Sequence, residues 1–310
     1  MLTISAARRQ PLSRLTPCAA ILYRAHTITA LLAIAGSLAA CGLFGSPHQR
    51  GARALEQGDY EAALGAFGEA IESGELVAEA YANRGIANEA LDHYEAAIDD
   101  YTKALELFGP KSRRAPEILN NRGVSYLKMR KFDEATDDFD AALDARPNYP
   151  EALANRGRVF LDIDDYDAAI KDLDRAIKLK PRLAEALGNR ALAHESQGDD
   201  ERAIADYNRA IELSHDAQAY FNRGMLRYTL GCFNLAYQDF AEVVDRVDDS
   251  EYLWYMAKEQ KIFLEGRPKD RDTCMGTESG ADRAAGKTGG DASSDGDPTT
   301  PAAGDATQTP

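Results

Sequence analysis

The residues best suited to acid–base or metal chemistry are scattered along this chain. Its five histidines form no pair with metal-ligand spacing: His26, His48, His93, His194 and His215. His194 precedes Glu195, but position 198 is a glycine, so the second histidine of a zinc HExxH helix is missing. The sequence also lacks a GxSxG nucleophile elbow and a glycine-rich phosphate loop. We therefore expect no catalytic residue, no metal site and no cofactor, and we predict that the chain is not an enzyme.

Two acidic clusters have the composition of a calcium-binding loop. One contains Asp162, Asp164, Asp165 and Asp167; the other contains Asp291, Ser293, Asp295 and Gly296. A calcium loop requires a glycine at its sharp bend and a bidentate glutamate at its end. The first cluster lacks that glycine, and Ala302 stands where the second would need its glutamate. We interpret both clusters as solvated acids, with calcium binding as the alternative.

Arginine and aspartate recur at an offset of 16 residues. The pairs are Arg84/Asp100, Arg122/Asp138, Arg156/Asp172, Arg190/Asp206 and Arg223/Asp239. Arg50 occupies the same place once more, but Ala66 replaces its aspartate. A constant offset places both members of a pair on facing antiparallel helices, so we predict an ion pair between them. A buried pair of this kind loses about 3–5 kcal/mol when one partner is removed.

These arginines belong to a tripeptide that recurs at nearly constant spacing. Asn-Arg-Gly begins at Asn83, Asn121, Asn155 and Asn222, with variants beginning at Gln49 and Asn189. From Gly51 onward the third residues are separated by 34, 38, 34, 34 and 33 positions. A period near 34 is typical of a solenoid built from helix–turn–helix units. The pattern predicts an all-α solenoid, in which each repeat packs only on its neighbours.

Small and large side chains alternate in phase with this period. Alanine recurs at Ala63, Ala97, Ala135, Ala169, Ala203 and Ala236, and a large residue follows at Phe67, Tyr101, Phe139, Leu173, Tyr207 and Phe240. An aromatic residue opens the second half of five repeats, at Tyr60, Tyr94, Phe132, Tyr166 and Phe233. Such alternation lets facing helices interdigitate without voids.

Residues 46–249 resemble the tetratricopeptide repeat family. The resemblance rests on the order of the small residues, the alanines and the terminal prolines, Pro147 and Pro181. The resemblance implies a right-handed superhelix of six repeats. Four extra residues near 109–116 predict an altered turn there. A fifth repeat with Ala191, Gln197 and Asp200 at usual core positions predicts the weakest packing.

The resemblance also implies that the first helix of each repeat lines a concave surface. The candidate peptide-binding residues on those helices are Gln49, Asn83, Asn121, Asn155, Asn189 and Asn222. Side-chain amides both donate and accept hydrogen bonds, so a row of them can hold an extended peptide by its backbone. The row resembles the asparagine ladder of O-linked N-acetylglucosamine transferase. The alternative is that each asparagine bonds to the adjacent repeat and binds no partner.

The same helices carry further groove candidates. They are Glu79, Glu117, Glu151, Glu185, Asn120, Lys128, Arg158, Phe221, Met225 and Tyr228. The formal net charge of −15 argues against nucleic acid as a partner, because such binding depends on neutralising phosphates. Without a dense set of lysines and arginines, a carboxylate clamp is not expected either.

The amino terminus reads as a targeting segment. Residues 28–40 are apolar and follow several arginines, and thirteen residues are too few for a membrane-spanning helix, which needs about 20. Leu38-Ala39-Ala40-Cys41 resembles the lipobox of bacterial lipoproteins, which implies cleavage before Cys41 and lipidation of its thiol. Gly42 follows instead of the aspartate of inner-membrane retention, so the outer membrane is favoured. An ordinary signal sequence with a chance cysteine is the alternative.

The carboxyl-terminal part divides into a helix and a tail. Residues 251–264 form an amphipathic pattern that predicts a capping helix, with a partner-binding helix as the alternative. The composition of residues 267–310 predicts disorder. Cys232 and Cys274 could form a disulfide or remain two free thiols. The predicted division is a signal peptide (1–40), an anchor and linker (41–47), six repeats (48–249), a cap (250–266) and a tail (267–310).

These features predict a lipid-anchored periplasmic scaffold or adaptor that binds peptide segments of other envelope proteins. In architecture the chain resembles outer-membrane adaptor lipoproteins of the new-lipoprotein-I type. The alternative function is that of a structural, self-associating component of a secretion or outer-membrane assembly machine. A homo-oligomer is therefore left open.

Overall fold

The computed structural model describes residues 45–109, 111–265 and 274. The predicted signal peptide, the predicted lipidation site Cys41 and all of the predicted disordered tail except Cys274 lie outside these residues. Thirteen α-helices and no strand occur in the described part of the chain. They are α1 (Pro47–Glu56), α2 (Tyr60–Ser73), α3 (Val77–Ala90), α4 (Tyr94–Phe108), α5 (Ala115–Lys128), α6 (Phe132–Ala145), α7 (Pro150–Asp162), α8 (Tyr166–Leu179), α9 (Ala184–Ser196), α10 (Asp200–Ser214), α11 (Ala217–Thr229), α12 (Phe233–Arg246) and α13 (Tyr252–Leu264).

The first twelve helices form six consecutive antiparallel pairs, and each pair packs on the next. This arrangement confirms the predicted all-α tetratricopeptide-type solenoid. Five of the six second helices begin at the predicted aromatic residue, and the sixth, α10, begins at Asp200. Helices α6 and α8 end two residues before Pro147 and Pro181, because the residue before a proline disfavours helical dihedrals.

The tight turn inside each repeat requires a left-handed backbone at one position. Glycine occupies it in three repeats, at Gly58, Gly198 and Gly231. Side chains occupy it in the second, third and fourth repeats, at Asp92, Arg130 and Asp164, with φ of 59°, 58° and 63°. In two of these turns the aspartate accepts a hydrogen bond from the tyrosine two residues later, as in Tyr166 Oη to Asp164 Oδ1 at 2.7 Å.

The core forms where the glycine of each repeat meets the large residue of the facing helix. A Cβ on Gly123 would lie 2.7 Å from Phe139, and one on Gly85 would lie 2.7 Å from Tyr101, both too close for real atoms. In the fifth repeat Ala191 replaces the glycine, yet Ala191 and Tyr207 are both fully buried. The packing inside that repeat is therefore intact.

The inserted residues do change a turn, as predicted. Gly109 ends α4 with φ of 77°, a tight turn follows at Ser112, and α5 begins at Ala115 with Pro116 in its first turn. Arg146, which follows α6 at the end of the third repeat, donates to the carbonyl of Arg113 at 3.4 Å. The longer connection between the second and third repeats is thus hydrogen-bonded to the end of the third repeat.

Helix α13 packs on α12 and buries Ala257 and Leu264, as expected of a capping helix. A disulfide joins Cys232, immediately before α12, to Cys274. Of the two alternatives left open for these cysteines, the bonded one is observed. No helix among the described residues is long and apolar enough to cross a membrane.

Candidate functional site

The first helix of each repeat lies on the inner face of the solenoid. These six helices are α1, α3, α5, α7, α9 and α11. Consecutive first helices contact one another along the whole array, whereas no two second helices of the described residues do so to the same extent. In a curved stack, neighbouring elements come closest on the concave side. The five asparagines and Gln49 lie on these first helices, at Asn83, Asn121, Asn155, Asn189, Asn222 and Gln49.

The arginine between each asparagine and glycine forms the predicted ion pair. Arg156 donates through Nε and Nη2 to the two carboxylate oxygens of Asp172, at 2.6 and 2.9 Å. The side chain of Asp172 is only 7% exposed. The same two-pronged contact occurs in each complete repeat, at Arg84/Asp100, Arg122/Asp138, Arg190/Asp206 and Arg223/Asp239. In the first repeat Arg50 pairs with Glu69 instead.

The third nitrogen of the same arginine reaches the preceding repeat, which was not predicted. Nη1 of Arg190 donates to Asp174 Oδ1 at 2.6 Å, and Nη1 of Arg122 donates to Thr102 Oγ1 at 2.9 Å. The equivalent acceptors are Asp140 for Arg156 and Asn208 for Arg223. All four acceptors lie two residues after the aspartate of the previous repeat. Hydrogen bonding to Asp206 raises the pKa of Arg190 above its ordinary value, so the guanidinium remains charged.

In two repeats a buried tyrosine pairs with a half-buried glutamate, a contact that the sequence reasoning missed. Tyr101 Oη donates to Glu89 at 2.9 Å, and Tyr207 Oη donates to Glu195 at 2.9 Å. Burial raises the pKa of both glutamates. Glutamate occurs twelve residues before the large core residue only where that residue is tyrosine and its hydroxyl needs a partner, and this covariation could have revealed the pairs.

The asparagine ladder is not uniform. Asn155 Nδ2 donates to Asn120 Oδ1 of the previous repeat at 2.9 Å, and Asn83 Nδ2 lies 3.3 Å from His48 Nε2. Asn121 Oδ1 accepts from Asn120, while Asn222 Oδ1 accepts from Gln218 at 2.8 Å on its own helix. The contacts of Asn155 and Asn83 are of the kind that the alternative expects, a bond to the adjacent repeat, whereas those of Asn121 and Asn222 lie within their own helices. Gln49 forms a capping box with Ser46 at the start of α1.

Asn189 differs from the other members of the ladder. Its side chain is buried, with 6% relative exposure, and its Nδ2 has no hydrogen-bond partner within the described residues. It lines an open pocket of about 370 Å³ between α9 and α11. Asn222 lines the same pocket, and Arg158 reaches it from α7. The structure thus brings these two asparagines of the predicted ladder together in one pocket.

The remaining groove candidates have mainly structural contacts. Glu117 pairs with Arg146 and Glu151 pairs with Lys180, both at the edge of a repeat. Phe221 packs on the fully buried Phe240, and Met225 and Tyr228 pack against the same core cluster. Glu185, in contrast, lines the pocket beside Asn189.

The acidic cluster of the fourth repeat forms part of a turn. Asp165 caps α8 by accepting from the backbone N–H of Ala168, Asp164 accepts from Tyr166, and Asp167 accepts from Gln197. In the described part of the chain, no group of three or more histidine, cysteine, aspartate or glutamate residues is arranged to hold a metal ion. The second predicted cluster lies outside the described residues.

Known proteins share this architecture. Residues 48–116, 120–181 and 155–217 match the sequence model described as tetratricopeptide repeat. The chain is 34% identical over 93 residues to tetratricopeptide repeat protein 36 of Homo sapiens, covering 30% of this chain and 49% of that protein. The mouse protein is 33% identical over 93 residues, covering 30% and 50%. The chain thus spans about half the length of the curated relatives it matches.

Solved structures support the same fold. A tetratricopeptide repeat protein from Parabacteroides merdae superimposes with a TM-score of 0.57 at 21% identity, covering 71% of this chain and 86% of that one. A thermophilic tetratricopeptide repeat protein of Thermus thermophilus gives 0.54 at 17% identity, covering 60% and 99%. Such proteins are generally non-catalytic scaffolds that bind other proteins or peptides. The matched repeats and the helix pairs together show that this chain belongs to the tetratricopeptide repeat family.

Proposed function

We propose that this protein is a lipid-anchored periplasmic scaffold or adaptor that binds peptide segments of other envelope proteins along its concave face. The observation that carries the proposal is the row of side-chain amides on the inner helices, of which Asn189 has a donor without an acceptor. An extended peptide offers a carbonyl and an N–H at every residue, so it complements such a row.

Peptide binding is tested by removing the amides. A triple variant, Asn121→Ala, Asn155→Ala and Asn189→Ala, should lose most of the peptides that the intact chain retains from a defined library. Replacement of three exposed residues on outer helices, Glu95, Lys171 and Glu201, by alanine is the matched control. If the ladder variant retained the same peptides as strongly as the intact chain, the proposed groove would be wrong.

The proposed anchor rests on the sequence Leu38-Ala39-Ala40-Cys41. Diacyl or triacyl modification of this kind requires the cysteine thiol. Since stable membrane attachment needs two or more acyl chains, loss of that thiol should remove the anchor. Replacing Cys41 by serine should move the protein from the membrane fraction to the soluble fraction of cells. A Cys41→Ser protein that stayed in the membrane fraction would contradict the anchor.

A self-associating structural role is the second candidate, and helix α13 favours it. Tyr252, Tyr255 and Ile262 are 79%, 55% and 55% exposed on this final helix. Exposed apolar side chains grouped on one element are typical of contact surfaces. Sedimentation of residues 42–310 over a hundredfold concentration range would show a rising mass for a self-associating protein and a constant monomer mass for an adaptor.

A further inference from the structure

The pocket between α9 and α11 owes its space to a glycine. Gly188 stands where the other repeats have larger residues, at His48, Ala82, Asn120, Ala154 and Phe221. A Cβ added to Gly188 would meet nothing within 4 Å. The volume of the pocket, about 370 Å³, lies at the lower end of the range of about 300–1,000 Å³ seen for small-molecule pockets. Gly188 therefore leaves space in the pocket at the junction of the fifth and sixth repeats.

The free amide of Asn189 has a specific origin. In two other junctions the residue 35 positions earlier supplies the partner: His48 for Asn83 and Asn120 for Asn155. For Asn189 that residue is Ala154, which has no polar side-chain atom. A buried donor without a partner costs about 1–3 kcal/mol. An acceptor brought by a ligand would remove this cost, so the site favours a ligand with a carbonyl oxygen.

One turn before Asn189, Glu185 supplies an acceptor. The equivalent glutamates of the third and fourth repeats are held by Arg146 and Lys180, each 29 residues later. Ser214 occupies that place for Glu185, and its hydroxyl donates to the carbonyl of Ala210. The exposed carboxylate of Glu185 thus has no basic partner among the described residues. Glu185 and Asn189, four residues apart, present an acceptor and a donor on one face of α9.

The rest of the pocket suits an uncharged aliphatic group. Leu192, Ala210 and Ala219 contribute apolar surface from three helices. On the facing wall Gln218 donates to Asn222 Oδ1, so these two amides already pair with each other. Arg158 at the rim pairs with Asp162 at 3.3 Å. Shape and apolar contact therefore define this side of the pocket.

We propose that the pocket formed by Glu185, Gly188 and Asn189 anchors one aliphatic residue of an extended peptide. The peptide carbonyl accepts from Asn189 Nδ2, and a peptide N–H donates to the Glu185 carboxylate. The aliphatic side chain occupies the space above Gly188, against Leu192 and Ala219. This inference rests on the proposed peptide-binding function and specifies which part of the inner face determines the sequence bound.

A defined peptide library tests the proposal. The immobilised full chain is offered acetylated, amidated nonapeptides of random sequence, and retained peptides are identified by mass spectrometry. We expect one position enriched in leucine, isoleucine, valine or methionine. The best peptide, resynthesised, should bind at least tenfold more weakly to Gly188→Leu, which fills the pocket, and to Asn189→Ala. Gly65→Leu, at an exposed helical glycine of α2 with equally open surroundings, should bind it like the intact chain.

The possible results distinguish failure of the anchoring pocket from failure of peptide binding as a whole. If the best peptide binds Gly188→Leu and Asn189→Ala as tightly as the intact chain but is lost by Asn121→Ala with Asn155→Ala, peptide binding stands and the anchoring pocket is wrong. If the intact chain retains no peptide above a blank support, both are wrong. Circular dichroism verifies folding of each variant. Should Gly188→Leu fail to fold, Gly188→Ala, which adds one methyl group, should still weaken binding measurably.

Discussion

Arg190 of the fifth repeat donates through Nη1 to Asp174 of the fourth repeat at 2.6 Å, while its other two nitrogens, Nε and Nη2, donate to Asp206 of its own repeat. One guanidinium therefore joins the two helices of a repeat and also joins that repeat to the one before it. The planar fork of arginine suits this task, since lysine has no comparable set of fixed donors.

The two aspartates bound by Arg190 should contribute unequally to stability. Asp206 is 11% exposed and Asp174 is 55% exposed. We expect Asp206→Ala to lower the free energy of unfolding by about 3 kcal/mol, because it leaves Nε and Nη2 of a partly buried guanidinium without an acceptor. Asp174→Ala should cost at most about 1 kcal/mol.

Amide hydrogen exchange in α9 and α10 measures both effects locally, as a repeat array need not unfold in one step. A double-mutant cycle with Arg190→Ala gives the coupling energy to Asp206. A coupling near zero would contradict the buried ion pair.

At the left-handed turn position, replacing a glycine and introducing a glycine should have unequal effects on stability. Gly198→Ala should cost about 1 kcal/mol, since a Cβ disfavours φ of 78°. Arg130→Gly should change the stability by less than about 0.5 kcal/mol, because relief of backbone strain offsets lost entropy and the contact with Phe132. Thermal unfolding of both variants checks this; equal losses would contradict it.

The two tyrosine–glutamate pairs predict that the stability depends on pH. Burial raises the pKa of Glu89 and Glu195 above the ordinary value of 4.5. A carboxyl group with a raised folded-state pKa stabilises the fold at low pH, and this contribution is lost as the pH rises through its folded-state value. The variant Glu89→Gln with Glu195→Gln keeps an acceptor for each tyrosine hydroxyl.

Relative to the intact chain, this variant should therefore gain stability between about pH 4.5 and neutrality. Urea denaturation at pH 4.5 and pH 7.5 measures the gain. Replacement of two exposed acids, Glu61→Gln with Glu95→Gln, is the control and should show a smaller change. A gain that shrank with rising pH would refute the assignment.

The same substitution at Asn189 and at Asn155 should change the stability by different amounts. Asn155→Ala removes a hydrogen bond to Asn120 and should cost about 1 kcal/mol. Asn189→Ala removes a buried donor that has no partner, so the free protein should keep its stability or gain up to about 1 kcal/mol. Local hydrogen exchange in α7 and α9 measures the difference. A loss at Asn189 as large as that at Asn155 would show that its amide is already satisfied.

Much of the fold was predictable because its determinants repeat. Three features each occur several times: the glycine with its large partner, the helix starts, and the arginine–aspartate offset. Their recurrence distinguishes a structural pattern from coincidence. The second contact of the arginine was harder to foresee, because its acceptors vary in type, from Thr102 to Asp174 to Asn208. Local departures from the repeat were not predictable: Gly188 leaves space in the pocket, and Ala154 leaves the amide of Asn189 without a partner. The volume of the pocket depends on neighbours that only the structure brings together.

The central claim is that the inner face holds peptides, and site-specific photo-crosslinking in cells tests it most directly. A photoreactive amino acid replaces Asn155 on α7 in one variant and the exposed Lys171 on the outer helix α8 in the other. Crosslinked partners are identified by mass spectrometry. We predict discrete partner peptides crosslinked from position 155 and none of them from position 171. The same partners crosslinked equally from both positions, or from position 171 alone, would contradict the account.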